Sequence, residues 1–386
     1  MPTLAPPAPA RPVTTTSRVL AVFGTQPCDT ALTHVSSLTI DGMPVRAGVH
    51  RRPDPAWHPA TTHRRHVLLQ VLAFSLNYRD KAFLERMVLR PSNSFFPIGS
   101  EFCARVVAVG DEVRSPRVGD RVMGDNTYIG PTDLIDGERG GVPTNQASCE
   151  TLVLPATKVM GVPDSMSDTE AACFSLNAQT AFSMCRRIEA RAGSRVLVTG
   201  ASSSTSLFSI GALTARGAIV TALTSATERV DRLHTLGVHE VIVRPRNLGR
   251  TAADPLHGRG ESADAFDAVI DPFFDAHAMA ATGAVRAGGR YITCGFAAQI
   301  AGNGRGSAAF AVDGVHLAAR ALMRNVTIIG NCLGLRGDLT DAIDAHQTGR
   351  LGVVVDSVFE DDVPAFLRRT WVDGDRFGKV AFHYGS

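Results

Sequence analysis

The sequence lacks an excess of either charge, because 39 lysine and arginine residues face 37 aspartate and glutamate residues. A formal net charge of +2 gives no electrostatic reason to expect a nucleic-acid or membrane-surface partner. The sequence also lacks any apolar run near the ~18 residues that a membrane-spanning helix needs. These absences favour a soluble, cytoplasmic protein whose partners are small molecules.

Paired cysteines are missing as well. The seven cysteines are scattered along the chain, and no two of them form a C-x-x-C motif. An odd and dispersed set in a long chain is typical of reduced thiols rather than of a disulfide framework. Residues 1–17 are rich in Pro, Ala and Thr and have no apolar centre, so we expect a disordered lead-in rather than a secretory leader.

The sequence also lacks the ligand spacing that is typical of a zinc module. Four histidines lie in the segment 46–66, namely His50, His58, His63 and His66. Their spacing fits no zinc module and prolines interrupt them, so we interpret the segment as a solvated hairpin loop, with metal binding as the alternative. Up to about Pro155, short Val- and Leu-rich runs bounded by turn residues predict antiparallel β structure.

After Val162 the sequence shows a regular alternation of short apolar runs and helical segments. The predicted strands cover 195–199, 219–223, 240–243, 266–270, 290–294 and 325–329. The predicted helices between them cover 204–215, 226–236 and 275–285. Strands that are apolar throughout are buried on both faces, and intervening helices supply the crossovers of a parallel sheet. The pattern predicts a doubly wound α/β domain, in a chain long enough for a second domain.

The first strand-to-helix turn of such a domain is where a dinucleotide phosphate binds, at backbone N–H groups of the helix. Here that turn reads Gly200-Ala201-Ser202-Ser203-Ser204-Thr205-Ser206. Serines replace the glycines expected after Gly200, and each would strain the backbone if its φ were positive. One interpretation is a modified cofactor loop in which Ser203, Ser204 and Thr205 approach the phosphates. The other is a relic fold whose pocket is closed or used otherwise.

The end of the second strand distinguishes NAD from NADP. NAD sites usually carry an acidic residue there, which binds the ribose hydroxyls. This sequence has Thr224 and Ser225, and the nearby Glu228 is predicted to form a helix cap with Ser225. Small hydroxyls followed by Arg229 suit a 2′-phosphate and favour NADP. Alternatively, Arg229 is a solvated helix arginine.

Seven short motifs stand in a fixed order along roughly residues 66–386. They are SLNYRD (75–80), PIGSEFCARVVAVG (97–110), VGDRVMG (118–124), ETLVLPATKVMGVPDSMSDTEAA (150–172), AGSRVLVTGAS (192–202), RAGGRYITCG (286–295) and GKVAF (378–382). Together they resemble the zinc-free branch of the medium-chain dehydrogenase/reductase superfamily, the quinone oxidoreductase and enoyl reductase group.

The resemblance implies a GroES-like β-rich catalytic domain with an inserted Rossmann domain. We expect the disordered lead-in at 1–17, the catalytic domain at 18–158, the Rossmann nucleotide-binding domain at 159–332 and a return to the catalytic domain at 333–386. It also implies a cleft between the two domains and, in many members, a homodimer.

The resemblance assigns roles to particular residues. It places Asn77 and Tyr78 at the nicotinamide and substrate, and Thr180 near the nicotinamide ring. Gly295 and Phe296 would meet the nicotinamide end of the cofactor. The adenosine phosphate would contact three residues, Thr224, Ser225 and Arg229.

The resemblance also bears on metal binding. Zinc-dependent relatives carry a cysteine ligand near SLNYRD, a Gly-His-Glu motif where this chain has Gly99-Ser100-Glu101, and a lobe of four close cysteines. A catalytic zinc needs about three nitrogen, sulfur or carboxylate ligands. All three features are missing from the sequence, so we predict no metal.

The implied activity is NADPH-dependent reduction of a quinone or of a carbon–carbon double bond conjugated to a carbonyl. Tyr78 is the hypothetical proton donor, or else an aromatic residue of the cleft wall. Cys294 suggests a thiol mechanism, or else a small packing residue. A non-redox lyase, isomerase or cyclase on the same fold is the alternative function, and a non-catalytic binding protein is a third.

Overall fold

The computed structural model describes residues 16–23, 32–40, 42–81, 84, 95–127, 146–245, 254–297 and 312–384. The predicted lead-in (apart from Thr16 and Ser17, which begin the first strand) lies outside these residues. None of the helices in the described part of the chain combines the length and apolarity needed to cross a bilayer.

The N-terminal half of the described chain is antiparallel β structure, as predicted. Its strands are β1 (Thr16–Phe23), β2 (Leu32–Ile40), β3 (Met43–Pro53), β4 (His66–Ser75), β5 (Phe95–Pro97), β6 (Glu101–Val109), β7 (Arg121–Gly124), β8 (Thr151–Pro155) and β9 (Val159–Gly161). One sheet has the strand order β2-β3-β1-β5. A second contains β4, β6, β7, β8 and β9. Two strands from the far end of the chain, β16 (Val355–Phe359) and β17 (Lys379–His383), join this second sheet, where β17 pairs with β4.

The prediction of a hairpin loop over 46–66 is wrong in its first part. Strand β3 continues to Pro53 and pairs with both β1 and β2. Val45 and Ala47 are buried on one face of it, and this alternation of apolar and polar residues is the strand signal that the flanking prolines obscured. A loop follows, in which the Nδ1 atom of His63 accepts a hydrogen bond from the backbone of His58.

A six-stranded parallel sheet forms the second half of the fold. Its strands are β10 (Arg195–Val198), β11 (Ile219–Thr224), β12 (Glu240–Val243), β13 (Phe266–Asp271), β14 (Val285–Thr293) and β15 (Thr327–Gly330). Their order in space is β12-β11-β10-β13-β14-β15, and every adjacent pair is parallel. This order reverses direction at β10, as a doubly wound sheet requires, and confirms the predicted fold class.

Eight α-helices accompany these strands in the described residues. They are α1 (Asp168–Ala172), α2 (Ser175–Arg187), α3 (Ser204–Thr214), α4 (Val230–Thr235), α5 (Phe274–Ala281), α6 (Gly314–Arg324), α7 (Arg336–Gln347) and α8 (Val363–Trp371). Helices α2, α3 and α7 pack against the parallel sheet in an apolar core with buried residues such as Phe174, Val198 and Leu339.

Two predicted element boundaries are wrong. The predicted helix 275–285 ends at Ala281, and Val285 already begins β14. The predicted strand at 325 begins later, because Asn325 has a left-handed φ of 52° and ends helix α6. Asparagine tolerates this conformation at a helix end, where its C-capping role outweighs the apolar run that follows.

The β-rich half is held by a cluster of aromatic rings. Phe74 on β4 is fully buried and lies 5.3 Å from Phe382, 5.6 Å from Tyr384 and 5.7 Å from Phe366, measured between ring centroids. The hydroxyl of Tyr384 donates a hydrogen bond to the carbonyl of Ser148. This cluster fixes β4 against β17, so that the loop after β4 and the start of β17 lie side by side.

Candidate functional site

A cavity of about 620 Å³ lies at the carboxyl edge of the parallel sheet. Residues that follow β10, β13, β14 and β15 form one wall, and the loop after β4 forms another. Helix α2, the end of helix α8 and Arg376 complete the lining. Ligands of doubly wound folds bind at this edge of the sheet, where the strand order reverses.

Eight of the residues predicted to form a site line this cavity, namely Asn77, Tyr78, Thr180, Ser203, Ser204, Thr205, Gly295 and Phe296. They come from four separate parts of the chain, which the fold brings together. Four other predicted residues, Gly200, Thr224, Ser225 and Arg229, do not line it. The structure therefore separates the proposed nicotinamide contacts from the proposed adenosine contacts.

The condition under which the serines would strain the turn, a positive φ, does not hold. Gly200 alone in the turn has a positive φ, of 52°, whereas Ser203 has a φ of −74°. A Cβ at Gly200 would lie 2.7 Å from the ring of Phe273, so glycine is required there. The hydroxyl of Ser203 accepts a hydrogen bond from the backbone N–H of Ser206 and thereby caps helix α3.

The turn also presents donors to the cavity. The first two residues of α3, Ser204 and Thr205, line the cavity, and their backbone N–H groups have no partner among the described residues. Helix N-termini attract anions through such groups and through the helix dipole. This donor set fits a phosphate group, and the strand-end residues Gly295 and Phe296 line the same cavity.

Two of the three predicted adenosine contacts, Thr224 and Arg229, are buried. Arg229 is only 7% exposed, so it is not a solvated helix arginine. Its Nη1 atom donates to Ser202 Oγ at 2.6 Å, and its Nη2 atom donates to the carbonyl of Gly374. The predicted cap at Ser225 is displaced, because the 3₁₀ turn Thr227–Arg229 has Ala226 at its N-cap position. Ser225 itself is exposed.

A buried carboxylate organises the opposite wall of the cavity. Glu101, the first residue of β6, is fully buried and forms an ion pair with the equally buried Lys379 of β17, with 2.5 Å between Oε2 and Nζ. Its Oε1 atom accepts hydrogen bonds from the backbone N–H groups of Leu176 and Asn177, at 2.7 and 3.1 Å. The carboxylate therefore caps the N-terminus of α2 and complements its dipole.

Asn77 is held by this carboxylate and by its neighbours. The Nδ2 atom of Asn77 donates to Ser100 Oγ and to Glu101 Oε2, at 2.9 and 3.1 Å. Its Oδ1 atom accepts from Lys379 Nζ at 2.8 Å and from Asn177 Nδ2 at 2.9 Å. Because both amide hydrogens and both oxygen lone pairs are occupied, Asn77 is locked in one orientation.

Asn177 connects this network to the serine-rich turn. Its Oδ1 atom accepts a hydrogen bond of 2.8 Å from the hydroxyl of Thr205, the second residue of α3. The two walls of the cavity are thus joined by a continuous path of hydrogen bonds from Lys379 through Asn77 and Asn177 to Thr205. The path fixes the separation between the two walls.

Tyr78 has a different environment from Asn77. Its ring lies 5.4 Å from that of Phe273 in an edge-to-face arrangement, and the Lys81 ammonium lies 5.2 Å from its centroid. Its hydroxyl makes no hydrogen bond to a described residue. This hydroxyl is therefore available to a ligand in the cavity.

The cysteine hypothesis gains little from the structure. Cys294 lines the cavity, but burial raises the pKa of its thiol to about 12. A thiol with so high a pKa remains protonated at neutral pH and is a poor nucleophile. The environment of Cys294 is that of a packing residue. The six cysteines in the described residues are all free of disulfides.

Comparisons with known proteins show which proteins the chain resembles in sequence and fold. Residues 63–164 match the family described as alcohol dehydrogenase GroES-like domain. A zinc-type alcohol dehydrogenase-like protein of Schizosaccharomyces pombe is 29% identical over 203 residues, which are 51% of this chain and 55% of that protein. The chain therefore matches about half the length of this relative.

Solved structures extend the likeness to almost the whole chain. A putative alcohol dehydrogenase from Sinorhizobium meliloti is 25% identical and superposes with a TM-score of 0.72 over 95% of this chain and 99% of its own. In sequence and in fold the chain is therefore similar to members of the medium-chain dehydrogenase/reductase superfamily. A crotonyl-CoA carboxylase/reductase shares the superfamily fold at 20% identity, with a TM-score of 0.71 over 95% of this chain and 88% of its own.

Ser100 and Asn77 belong to one hydrogen-bonded network beside the cavity. Ser100 is fully buried, and its hydroxyl donates to Asp80 Oδ2 at 2.7 Å and accepts from Asn77. No group of three or more His, Cys, Asp or Glu side chains suitable for a metal occurs within the described residues. Asn77 and Ser100 are engaged with each other and with carboxylates.

Several cavity residues were missed by the sequence analysis. They are Arg79, Asn177, Phe273, Asn331, Cys332, Thr370, Trp371 and Arg376. Phe273 follows a predicted strand, and the rule that ligands bind beyond strand carboxyl ends would have found it. Asn177 and Arg376 gave no such signal, because only the tertiary fold brings helix α2 and the segment before β17 to the cavity.

The buried ion pair predicts a specific pattern of stability. Lys379→Met should lower the free energy of unfolding by about 3–5 kcal/mol, because Glu101 is then left buried without its counter-charge. Adding Glu101→Gln to this variant should recover part of the loss. Urea denaturation measures both. Arg65→Met, which breaks an ion pair at a highly exposed arginine, is the control and should leave the midpoint nearly unchanged. A single Lys379→Met variant as stable as the wild type would contradict this account.

Proposed function

We propose that the protein is a zinc-independent oxidoreductase that uses NADP(H) to reduce the double bond of an enone or enoyl substrate, or a quinone. The observation that carries the proposal is the cavity itself. Its lining includes the backbone N–H groups at the start of α3, Asn77, whose amide is held by hydrogen bonds, and the Tyr78 hydroxyl. The superfamily supports a nicotinamide cofactor in general, and the substrate class comes from the motif resemblance.

The residues of the chain have distinct tasks in this proposal. A bound nicotinamide dinucleotide would supply the hydride, as it does throughout this chemistry. Ser204 and Thr205 hold a phosphate through their N–H groups, and Gly295 and Phe296 enclose the nicotinamide end. Thr180 lines the same space while its hydroxyl donates to the carbonyl of Leu176 at 2.6 Å.

Tyr78 and Asn77 have different roles in this proposal. The Tyr78 hydroxyl donates a hydrogen bond to the substrate oxygen, on which negative charge develops during reduction, and then delivers the proton. Asn77 has no free donor for the substrate. We therefore assign it a positioning role, in which its hydrogen bonds to Ser100 and Lys379 hold the adjacent Tyr78 in place.

Preference for NADP over NAD rests on the end of β11. Thr224 and Ser225 offer no carboxylate to the ribose hydroxyls, and the exposed Ser225 leaves space for a phosphate. Arg229 no longer supports the preference, because Ser202 and Gly374 already occupy its guanidinium.

A non-redox lyase, isomerase or cyclase is the second candidate. Phe273 lies against Gly200, and Ser203 caps its own helix, so the turn is stable without a cofactor. An enzyme that uses the cleft without net hydride transfer would have no need of further phosphate donors.

We further propose a homodimer. Strand β15 is the last strand of the parallel sheet formed by the described residues, and an edge strand can pair with a second copy of the chain. Nearby, helix α6 exposes three large apolar side chains, Val315, Leu322 and Met323, which are 83%, 78% and 84% exposed. Apolar side chains grouped in this way are typical of protein–protein contacts.

The cofactor proposal predicts the outcome of a fluorescence titration. NADPH should bind the purified protein, and NADH should bind at least tenfold more weakly because it lacks the 2′-phosphate. NADPH should be consumed with enones or quinones, and pretreatment with a zinc chelator should not change the rate. An absence of binding at millimolar NADPH would overturn the oxidoreductase proposal. Binding without consumption across these substrates would favour the non-redox alternative.

The role of Tyr78 predicts a selective loss in Tyr78→Phe. The turnover number should fall by about 10²-fold or more, the usual contribution of a positioned proton donor. The dissociation constant for NADPH should remain within about twofold, because the hydroxyl makes no cofactor contact in this proposal. Steady-state kinetics and fluorescence titration separate the two quantities. A loss of only two- or threefold in the turnover number would show that Tyr78 is an aromatic residue of the cleft wall and not the proton donor.

The dimer proposal predicts that Leu322→Glu dissociates the protein. A charge placed in an apolar interface is desolvated without a partner and opposes association. Sedimentation velocity should show a dimer for the wild type and a monomer for the variant. Val118→Glu changes a residue that is 61% exposed far from α6, and it should remain dimeric. A monomeric wild type would refute the proposal.

A further inference from the structure

Arg79 is a cavity residue to which the proposed mechanism gives no role. It directly follows Tyr78 in the chain, and its half-buried side chain lines the cavity. Burial lowers the pKa of its guanidinium, and the charge of Asp80 only partly opposes this shift. An arginine in the wall of a cavity offers a permanent positive charge and a planar set of donors to the molecule that binds there.

The fold anchors the chain on both sides of Arg79. The N–H of Asn77 donates to Asp80 Oδ2 at 2.6 Å, and the N–H of Asp80 donates to the carbonyl of Asn77 at 3.0 Å. Asp80 is fully buried and also accepts a hydrogen bond from the hydroxyl of Ser100. Because this turn is held from within, the side chain of Arg79 leaves the wall of the cavity at a fixed point.

Arg79 lies at the end of the cavity formed by strand β15. Its charge opposes the effect of burial on the pKa of the Cys332 thiol, which places the guanidinium near the residues that follow β15. The serine-rich turn follows β10, three strands away in the order β10-β13-β14-β15. With neighbouring strands about 4.8 Å apart, the two ends of the cavity are separated by about 14 Å. Arg79 and the N–H groups of Ser204 and Thr205 therefore face different groups of a ligand.

The lining of the cavity carries charge of one sign. Arg79 and Arg376 are its charged side chains, and no Asp, Glu, Lys or His within the described ranges lines it. Arg376 belongs to the segment that is hydrogen-bonded to the serine-rich turn, at the opposite end. Much of the remaining lining is apolar, as at Phe296 and Leu333. An apolar cavity with a positive charge at its β15 end suits a substrate that combines an apolar chain with an anionic group.

We propose that Arg79 binds a carboxylate of the substrate, so that the protein acts on carboxylate-bearing enones in preference to neutral ones. The inference rests on the proposed function and adds the substrate class to it. Tyr78 and Arg79 are consecutive and line one cavity, so a single small molecule can place its ketone oxygen at the first and its carboxylate at the second. The planar guanidinium presents two parallel donors that match the two oxygens of a carboxylate.

The test compares an acid with its neutral methyl ester. In 6-oxohept-4-enoate two methylene groups separate the carboxylate from the enone, so the acid and the ester have the same intrinsic reactivity. The wild type should reduce the acid with a KM about tenfold or more below that of the ester, because a charge-assisted hydrogen bond is lost with the ester. The saturated pair, 6-oxoheptanoate and its methyl ester, should show the same preference in isothermal titration calorimetry, which needs no turnover. Added salt should weaken binding of the acid alone.

Three variants test whether Arg79 causes this preference. Arg79→Gln should raise the KM and the Kd for the acids by about 10- to 100-fold and remove their advantage over the esters. Arg79→Lys keeps the charge without the planar fork and should fall between the wild type and Arg79→Gln. Arg105→Gln removes an exposed charge on β6, outside the cavity lining, and should keep the wild-type preference. Thermal unfolding checks that each variant is folded, and Arg79→Lys supplies the comparison if Arg79→Gln is not.

The results for the inference and for the proposed function are distinguishable. If the wild type reduces both enones with NADPH but does not prefer the acid, the inference is overturned and the proposed function stands. The same holds if Arg79→Gln retains the preference. If NADPH is consumed with neither enone, the proposed function fails, and calorimetry with the saturated pair still decides whether Arg79 binds a carboxylate.

Discussion

The ion pair between Glu101 and Lys379 is the constraint on which the site depends. A carboxylate and an ammonium that are both removed from water are tolerated only if each is fully satisfied by the other and by further hydrogen bonds. Glu101 meets this condition because its carboxylate caps helix α2 and accepts hydrogen bonds from Asn77 Nδ2 and Ser75 Oγ. Lys379 meets it by donating also to the carbonyl of Leu76. Four elements distant in sequence are thereby tied to one point.

This arrangement explains why the cavity has a definite shape although its walls come from both halves of the fold. Strand β17 carries Lys379, and helix α2 carries Asn177, which reaches Thr205 at the start of α3. A shift of either wall would break a buried hydrogen bond rather than an exposed one. Buried polar groups without partners are costly, so the network specifies one separation of the walls.

The fold class could be predicted from the sequence because its signals are local. The centres of the strands, Val196–Val198 and Ala268–Ile270, are apolar throughout, and such runs are typical of strands buried on both faces. The sequence also singled out Asn77, Thr180 and Gly295, which line one cavity in the structure. The burial of the Arg229 guanidinium could not be predicted, because Arg229 donates to the carbonyl of Gly374, a residue 145 positions away. The left-handed conformation of Asn325 was equally hidden, since the apolar run beside it is the stronger local signal.

The serine-rich turn shows that serines as well as glycines can form a tight strand-to-helix turn. Glycines allow a close approach by offering no side chain, whereas here Ser203 and Ser206 turn their hydroxyls toward each other and toward the backbone.

The positions of Glu101 and Lys379 in the sequence have a consequence for synthesis of the chain. Glu101 is synthesised long before Lys379. The growing polypeptide therefore lacks the partner of this ion pair until β17 has been synthesised. The wall of the cavity that this ion pair holds in place is accordingly incomplete until Lys379 has been synthesised.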